Sequence, residues 1–420
     1  MRRTPLAKNL IRAAALTAAG ALALTGCGGG SGGGNAGKVV FWDTSGPNEH
    51  PVFKKLADGC ATKGGYQVQS EQVAFDQARS NYKTNAQGGQ GPDVFRAEVA
   101  WVSEFAKNGL IQDLTATDLA KDGADFLDVA VGSTKYDGKT YAVPQVTDTL
   151  GLLYNKKMLA DAGIQPPKTW DEVKAAGAKL GEKAFFVNND AYYALPFIYG
   201  DGGDLVDTAS KKITVNAAAS VKGVETAKSL LDAKAAQTAQ DPSNSYNNMK
   251  AAFSGGQVAM IIDGPWAVVD ILKSDAFKDA SNLGIAAVPG ASAGKGSGPV
   301  GGHNYVIRQG TKAKDNSIKF IQCMSSAESQ ATVAKELGLL PTRKAVYDTA
   351  DVKSQAVVTG FSEAIKSAHA RAWIPEGGQL FDPLKIGYAD VLSGKKTAKV
   401  ALDEVAKTYK DQVVKEYSQG

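Results

Sequence analysis

The stretch that decides the fold is Tyr141–Val173, YAVPQVTDTLGLLYNKKMLADAGIQPPKTWDEV. It begins as an apolar strand that contains one acid, Asp148, whose side-chain parity is that of Val146 and Leu150. This parity predicts that the carboxylate points where the core residues point, and a buried carboxylate is costly unless it is hydrogen-bonded or paired. Either the protein or a polar ligand must therefore supply its partners.

Helix signals follow this strand. An amphipathic segment precedes the stop at Pro166 and Pro167, and Thr169-x-x-Glu172 has the pattern of a capping box that opens a second helix. A strand followed by two helices is typical of an α/β domain.

The segments before this stretch alternate between the two periodicities. Strands are predicted at Lys38–Asp43, 66–73 and 92–96, with helices at 51–60 and 75–87 between them. This βαβαβ order predicts a mainly parallel sheet with helices on both faces. Asp137-Gly138 marks a hairpin turn.

Strand-like segments recur late in the chain, at 257–263, 283–289 and 305–308, with a Gly/Ser-rich loop at 291–302. Because they come after long helical stretches, we expect two α/β lobes between which the chain crosses more than once. The predicted boundaries place 38–147 and 289–326 in lobe I, and 148–288 and 327–420 in lobe II.

The N-terminal residues predict export. Residues 1–26 combine four basic residues with the short apolar segment Ala13–Leu24, and Leu24-Thr25-Gly26-Cys27 has the pattern of a lipobox. We expect a lipoprotein signal at 1–26, lipidation of Cys27, and a flexible tether at 27–37 that holds the protein at the outer face of the cell membrane. A cleaved secretory signal with an incidental cysteine is the alternative.

Charge argues against a nucleic-acid partner. The chain has 47 Lys and Arg against 43 Asp and Glu, and the excess of four lies in residues 1–26. The remaining 394 residues are formally neutral, so the basic pI gives no sign of nucleic-acid binding.

Two cysteines remain once Cys27 is assigned to lipid. Cys60 and Cys323 each lie in a predicted helix. In an exported protein they form a disulfide or stay as two buried thiols, and the sequence leaves both open.

Motifs that could indicate catalysis lack the context that they need. Gly290-Ala-Ser-Ala-Gly294 matches a nucleophile elbow, but a Gly/Ser loop follows it instead of a helix. The three histidines show no metal-ligand spacing. We expect no enzyme, cofactor or metal site, and a glycosidase that uses two cleft acids is a less favoured alternative.

Aromatic and polar side chains after strands provide candidate ligand contacts. Rings stack on the apolar faces of sugars, and charged groups bind their hydroxyls. Such groups sit in clefts, often between domains or beyond strand ends. The candidates are Asp43, Asp76, Arg79, Glu98, Trp101, Asp148, Tyr192, Trp266, His303, Arg343 and Trp373.

Taken together, residues 38–420 resemble the maltose/maltodextrin-binding lipoproteins of ABC sugar importers, within the extracellular solute-binding proteins. The resemblance rests on FDQARSNYKTNAQGGQGPDVFRAEVAW, VPQVTDTLGLLYNKKML with PPKTWDEV, AFSGGQVAMIIDGPWA, GLLPTR and ARAWIPEGGQLFDPL. It implies a two-lobed fold like that of periplasmic binding proteins, a sugar bound between the lobes, and permease subunits as partners of a monomer.

The family's sugar contacts carry over most directly onto Asp148, Tyr192 and Trp266. The sequence departs from the enteric relatives in two places. Arg96 stands where they have a tryptophan, directly after the phenylalanine of the third strand, and the loop Pro375–Gly378 differs. Maltose and short α-1,4-glucans are the expected ligands, with cellobiose, trehalose or a polyol as alternatives.

Overall fold

The computed structural model describes residues 37–420. The predicted signal, the lipidation site Cys27 and nearly all of the tether lie outside the described residues. No helix in the described part is long and apolar enough to cross a membrane.

The strands run in chain order as β1 Lys38–Asp43, β2 Gln67–Gln72, β3 Val94–Glu98, β4 Lys135–Tyr136, β5 Lys139–Thr140, β6 Val143–Asp148, β7 Gly151–Asn155, β8 Phe185–Val187, β9 Val206–Asp207, β10 Lys212–Ile213, β11 Ala236–Thr238, β12 Met260–Asp263, β13 Leu283–Ala286, β14 Gly301–Ile307, β15 Leu340–Pro341 and β16 Ser418–Gln419. The α-helices are α1 His50–Gly64, α2 Phe75–Gln87, α3 Val102–Lys107, α4 Asp118–Lys121, α5 Asp128–Val131, α6 Lys156–Asp161, α7 Trp170–Leu180, α8 Ala191–Gly200, α9 Ala218–Asp232, α10 Ser245–Ser254, α11 Val268–Ile271, α12 Lys314–Met324, α13 Ala327–Leu337, α14 Ala350–Lys353, α15 Ala356–Ile365, α16 Phe381–Leu392 and α17 Ala398–Thr408.

Two larger sheets organise these elements. A six-stranded sheet has the order β15-β6-β14-β3-β1-β2, and a five-stranded sheet has the order β11-β8-β12-β7-β13. The predicted βαβαβ start is confirmed, because β2, β1 and β3 are parallel neighbours. The expectation of mainly parallel sheets is wrong. β6, β14 and β15 pair antiparallel in the first sheet, and β7 and β13 do so in the second. A helix that connects two neighbouring strands of one sheet makes those strands parallel. β6 and β7 are consecutive strands in different sheets, so this constraint does not apply to them.

The stretch Tyr141–Val173 crosses between the two sheets. β6 ends at Asp148 in the first sheet, and β7 begins at Gly151 in the second. The shared parity of Asp148 and Leu150 along one strand is therefore wrong, because the strand is interrupted at 149–150. Asp148 instead lies at the point where the chain leaves the first sheet.

Three chain segments lie side by side at this crossing. A Cβ on Gly298 would lie 2.6 Å from the Thr149 hydroxyl oxygen, so only glycine allows this approach. The His369 N–H donates to the Gly298 carbonyl at 2.8 Å, and the Val300 N–H donates to the His369 carbonyl at 2.8 Å. These backbone bonds tie the segment that precedes β14 to the segment that follows α15.

Local signals hold where the partners are close in sequence. Thr169 and Glu172 form both bonds of the capping box at the start of α7. Asp137 and Gly138 have left-handed φ values of 48° and 74° in the β4–β5 turn.

The predicted boundaries of the two lobes stay a prediction. The assignment of β15 to lobe II, however, differs from the sheet in which this strand lies. β15, at Leu340–Pro341, pairs with β6 in the six-stranded sheet although lobe II was predicted to contain it. Val333 and Leu337 of α13 also pack in the core of that sheet. The apolar side chains of Val333 and Leu337 are buried in that core. A lobe boundary predicted from the order of elements along the chain could not reveal this packing.

A disulfide joins Cys60 of α1 to Cys323 of α12. It links two helices that pack together beside the six-stranded sheet. The structure thus contains the bridge and not two separate thiols.

Candidate functional site

One face of the six-stranded sheet carries a row of polar side chains at its end. His303 of β14 lies opposite Glu98 of β3, and Gly301 lies opposite Asp148 of β6. Directly opposed residues, and residues two apart on one strand, share a face. Arg96, Glu98, His303 and Asp148 therefore point to the same side of the sheet.

The side chains of Asp43 and Arg96 are hydrogen-bonded to neighbouring residues of the protein. The fully buried Asp43 carboxylate accepts bonds from the Ser45 N–H at 2.9 Å and from His50 Nδ1 at 2.7 Å, with Arg96 Nε 4.0 Å away. Arg96 donates to Gln145 Oε1 at 2.9 Å. The structure thus places the candidate Asp43 in a satisfied network at the end of β1.

Arg371 joins the two halves of the site. Its Nε donates to the Val300 carbonyl at 2.8 Å, and its guanidinium pairs with Glu98. The guanidinium carbon also lies 5.6 Å from the ring centre of Tyr192 and 5.4 Å from that of Trp373. Because Glu98 belongs to the first sheet and Tyr192 to α8 beside the second, Arg371 connects groups from both sides. Arg371 lies in the motif ARAWIPEGGQLFDPL but was not among the predicted ligand contacts.

Asp148 faces Tyr192 across Gly301. A Cβ on Gly301 would lie 2.1 Å from Asp148 Oδ1 and 2.7 Å from the Tyr192 hydroxyl oxygen, so both oxygens converge on this glycine. Within residues 37–420 the carboxylate makes no hydrogen bond or ion pair. Burial raises the pKa of Asp148 to about 7, a rise that Arg371 opposes and Glu98 reinforces. The Asp148 side chain is therefore buried without a hydrogen-bond partner among the described residues.

Trp266 contributes an aromatic surface beside Tyr192. It follows β12 in the turn Pro265–Ala267, is partly buried, and has its ring centre 6.4 Å from that of Tyr192. A Cβ on Gly264 would lie 2.0 Å from the indole, so this ring position requires glycine there. The preceding Asp263 accepts bonds from the Tyr193 hydroxyl at 3.2 Å and the Gly264 N–H at 2.8 Å, and burial raises its pKa to about 7.

The candidates Trp101 and Trp373 differ in how much of each ring is available to a ligand. Trp101 is buried in a cluster with Phe95 and Phe105, so most of its surface packs in the core. Phe75, the first residue of α2, covers part of it and is 49% exposed. Trp373 is partly buried, and the Ser103 hydroxyl donates to its carbonyl at 3.0 Å.

The structure does not bring three other candidates to Asp148 and Tyr192. Arg79 donates to Glu104 at 2.7 Å, and Asp76 is exposed on the first turn of α2. Arg343 donates to the Ser325 carbonyl at 2.6 Å, pairs with Asp122 and Asp125, and lies over Phe126. Its guanidinium thus connects the end of α12 to residues 122–126, a role that sequence spacing could not reveal.

No group of three or more His, Cys, Asp or Glu residues in the described part of the chain is arranged to hold a metal ion.

The buried Asp148 predicts a pH-dependent effect of its replacement by asparagine. Its folded pKa lies above its usual value near 3.8, so the folded protein binds the extra proton between about pH 4 and pH 7 and loses stability as the pH rises through that window. Asp148→Asn should therefore change little near pH 4. Relative to the wild type it should become more stable by up to about 1.4 kcal/mol per pH unit as the pH rises toward 7.

Urea unfolding of both proteins from pH 4 to 8 measures this difference, which removes the contributions that the two proteins share. A difference that stays constant over the whole range would show that the Asp148 pKa is ordinary.

Comparison with known proteins identifies the family of this chain. A model of the family "Bacterial extracellular solute-binding protein" matches residues 55–359, more than half of the chain. The chain belongs to this family. The maltotriose-binding protein of Pyrococcus abyssi is 26% identical over 90% of this chain and 82% of its own length. The maltooligosaccharide ABC transporter solute-binding lipoprotein of Streptococcus pneumoniae is 27% identical over 79% of each.

Among solved structures, the GacH receptor of Streptomyces glaucescens is 42% identical, with a TM-score of 0.86 over 91% of this chain and 99% of that chain. It was solved without ligand and in complex with acarbose. Maltose-bound T. maritima MalE3 shares the fold, with a TM-score of 0.79 and 24% identity over 89% of this chain and 99% of that one. The predicted two-lobed α/β fold of a solute-binding protein is confirmed.

Proposed function

We propose that this solute-binding protein binds maltose and short α-1,4-glucans between its two lobes and delivers them to the permease of an ABC importer. The observation that carries the proposal is the convergence of Asp148, Tyr192 and the Arg371–Glu98 pair where the two sheets meet. Carboxylate and guanidinium groups bind hydroxyls, and the nearby rings of Tyr192 and Trp266 suit the apolar face of a sugar.

The relatives support a sugar more strongly than they support one particular sugar. Some are named for maltotriose or maltooligosaccharides, others for diacetylchitobiose or galactooligosaccharide. The α-1,4-glucan is therefore the finer part of the proposal, and another oligosaccharide on the same site is its alternative.

Closure of the lobes gives binding a mechanism. The crossing segments at 148–151, 298–301 and 368–371 are the connections across which the lobes would move. A ligand that contacts both lobes stabilises the closed form over the open one. Arg371 is placed to couple the two halves, because it contacts Glu98 on one side and Tyr192 on the other. The protein binds its ligand and does not transform it.

The proposed location follows from the N-terminal sequence. Cys27 would carry the lipid, and the glycine-rich residues 28–37 would tether the monomer to the outer face of the membrane beside the permease. One acyl chain anchors only weakly, so more than one chain on Cys27 is expected.

Replacing Asp148 with alanine tests the site. The substitution removes the carboxylate that has no protein partner, so affinity for maltotriose should fall about 10- to 150-fold, the equivalent of roughly 1.5–3 kcal/mol for a charged hydrogen bond. Isothermal titration calorimetry measures this, and circular dichroism checks that the variant is folded.

Asp161→Ala is the matched control, because Asp161 is an exposed acid on α6 that pairs with Lys157 on the protein surface. Its affinity should equal that of the wild type. If Asp148→Ala unfolds the free protein while the folded fraction keeps its affinity, the acid is structural and the assignment is wrong.

A further inference from the structure

Phe75 exposes a large apolar ring beside the polar row of the first sheet. It is 49% exposed, whereas Phe53, Phe95 and Phe105 are completely buried. Its ring centre lies 5.2 Å from that of Trp101 at an interplanar angle of 30°, and 6.0 Å from that of His303 in an edge-on arrangement of 71°. The Phe75 ring thus packs on Trp101 and lies close to His303, while about half of the residue stays exposed.

His303 has no hydrogen-bond partner for either ring nitrogen, although both nitrogens are buried. Its cross-strand neighbour Glu98 cannot serve, because the Glu98 oxygens bind Arg371 and the Ala100 N–H. Buried polar atoms are nearly always paired, so two unpaired atoms on one ring require an explanation. A ligand group is one that fits, since His303 lies on the same face as Asp148.

The surroundings keep this imidazole uncharged. Burial and the positive charges of Arg96 and Arg371 hold the pKa of His303 well below its usual value. A neutral imidazole offers one N–H donor and one nitrogen acceptor. A hydroxyl group, which both donates and accepts, matches it.

The nearby cations are already occupied. Arg96 binds Gln145 and Thr44, and Arg371 binds Glu98 and the Val300 carbonyl. The charge of Arg371 is balanced by Glu98, and that of Arg96 by Asp43 at 4.0 Å, so neither guanidinium is an unpaired cation that would attract the charge of a sugar acid or a sugar phosphate. The local chemistry therefore favours an uncharged, hydroxylated ring.

We propose that Phe75 and His303 form one subsite for an uncharged pyranose, whose apolar face stacks on Phe75 while one of its hydroxyls bonds to the His303 imidazole. This inference rests on the proposed sugar-binding function and deepens it. In this structure the Phe75 ring lies 6.0 Å from the imidazole at a steep interplanar angle, and in the proposed complex it turns onto the sugar as the hydroxyl reaches the nitrogens.

A double-mutant cycle with maltotriose as the probe tests the subsite. Phe75→Ala and His303→Leu should each weaken binding roughly 2- to 12-fold, the range expected for one aromatic contact and one neutral hydrogen bond. Because both groups hold the same sugar ring, the double variant should lose less than the product of the two single effects. His303→Gln keeps a donor and an acceptor and should recover part of the loss.

Ile386→Ala is the matched control, because Ile386 is a 67% exposed apolar residue on α16, an element that lies in the core of the other sheet. It should bind like the wild type. The ratio of wild-type to His303→Leu affinity should also stay constant from pH 7 to 8, where an imidazole whose pKa is held below its usual value is neutral.

The outcomes separate the two proposals. If the wild type binds maltotriose and both single variants bind within twofold of it, the subsite is overturned and the sugar-binding function stands. An affinity ratio that changes with pH overturns the neutral imidazole. If the wild type binds none of maltose, maltotriose, trehalose or cellobiose, the proposed function fails and the subsite fails with it.

Discussion

Replacing Arg371 with alanine should lower the free energy of unfolding by about 3–5 kcal/mol, the scale for removing one partner of a buried ion pair. The side chains of Arg371 and Glu98 are only 8% and 14% exposed. Without the guanidinium, Glu98 keeps a single bond from the Ala100 N–H, and the Val300 carbonyl loses its donor. Urea unfolding monitored by circular dichroism measures the change.

The same loop provides a matched control for Arg371. Lys107 pairs with Glu376 at 2.6 Å, but the lysine side chain is 51% exposed. Lys107→Ala should therefore cost less than about 1 kcal/mol. Combining Arg371→Leu with Glu98→Gln should recover much of the loss, because no unpaired charge is then buried. If Arg371→Ala costs no more than Lys107→Ala, Arg371 does not hold the two halves of the site together.

Removing the disulfide should produce the second large effect. Cys60 and Cys323 are 263 positions apart, so the bridge closes a very long loop in the unfolded chain. The chain-entropy model gives larger stabilisation for longer loops, and losses of about 2–5 kcal/mol are typical. Because the loop is so long, we expect the stability loss of the Cys60→Ala/Cys323→Ala protein to lie toward the upper end of that range. Alanine is small and apolar and therefore suits the buried position of Cys60.

Reduction of the wild type provides the control for the disulfide. A thiol reductant should lower the unfolding free energy of the wild type to that of the double variant and leave the double variant unchanged. Equilibrium unfolding with and without the reductant measures both values. Equal unfolding free energies of oxidised wild type and double variant would contradict the proposed stabilisation.

The sequence predicted those parts of the fold whose causes are local. β1 and α2 have the predicted bounds, and the capping box of Thr169 and Glu172 forms as expected. The break after Asp148 could not be predicted from side-chain parity, because parity continues unchanged through Thr149 and Leu150. The partner of β15 was missed for a similar reason, since Leu340–Pro341 pairs with residues almost 200 positions earlier.

The site was predicted only in part. Asp148, Tyr192 and Trp266 stood out because an acid or a ring at a strand end is visible in sequence. Arg371 did not, because its role depends on Glu98, 273 positions away. Arg343 looked equally suitable, yet its side chain is engaged by Ser325, Asp122 and Asp125. Only tertiary contacts distinguish an arginine within the site from one that supports packing.

The most direct test of the account is a calorimetric titration of the wild-type protein with maltose, maltotriose, trehalose and cellobiose. We expect saturable binding of maltose and maltotriose at one site per chain, and weaker or no binding of cellobiose, whose rings are β-linked. Saturable binding of cellobiose or trehalose alone would keep the fold and site but replace the ligand. The absence of binding heat from every α-glucan would contradict the proposal that Asp148 and Tyr192 hold a maltodextrin between the lobes.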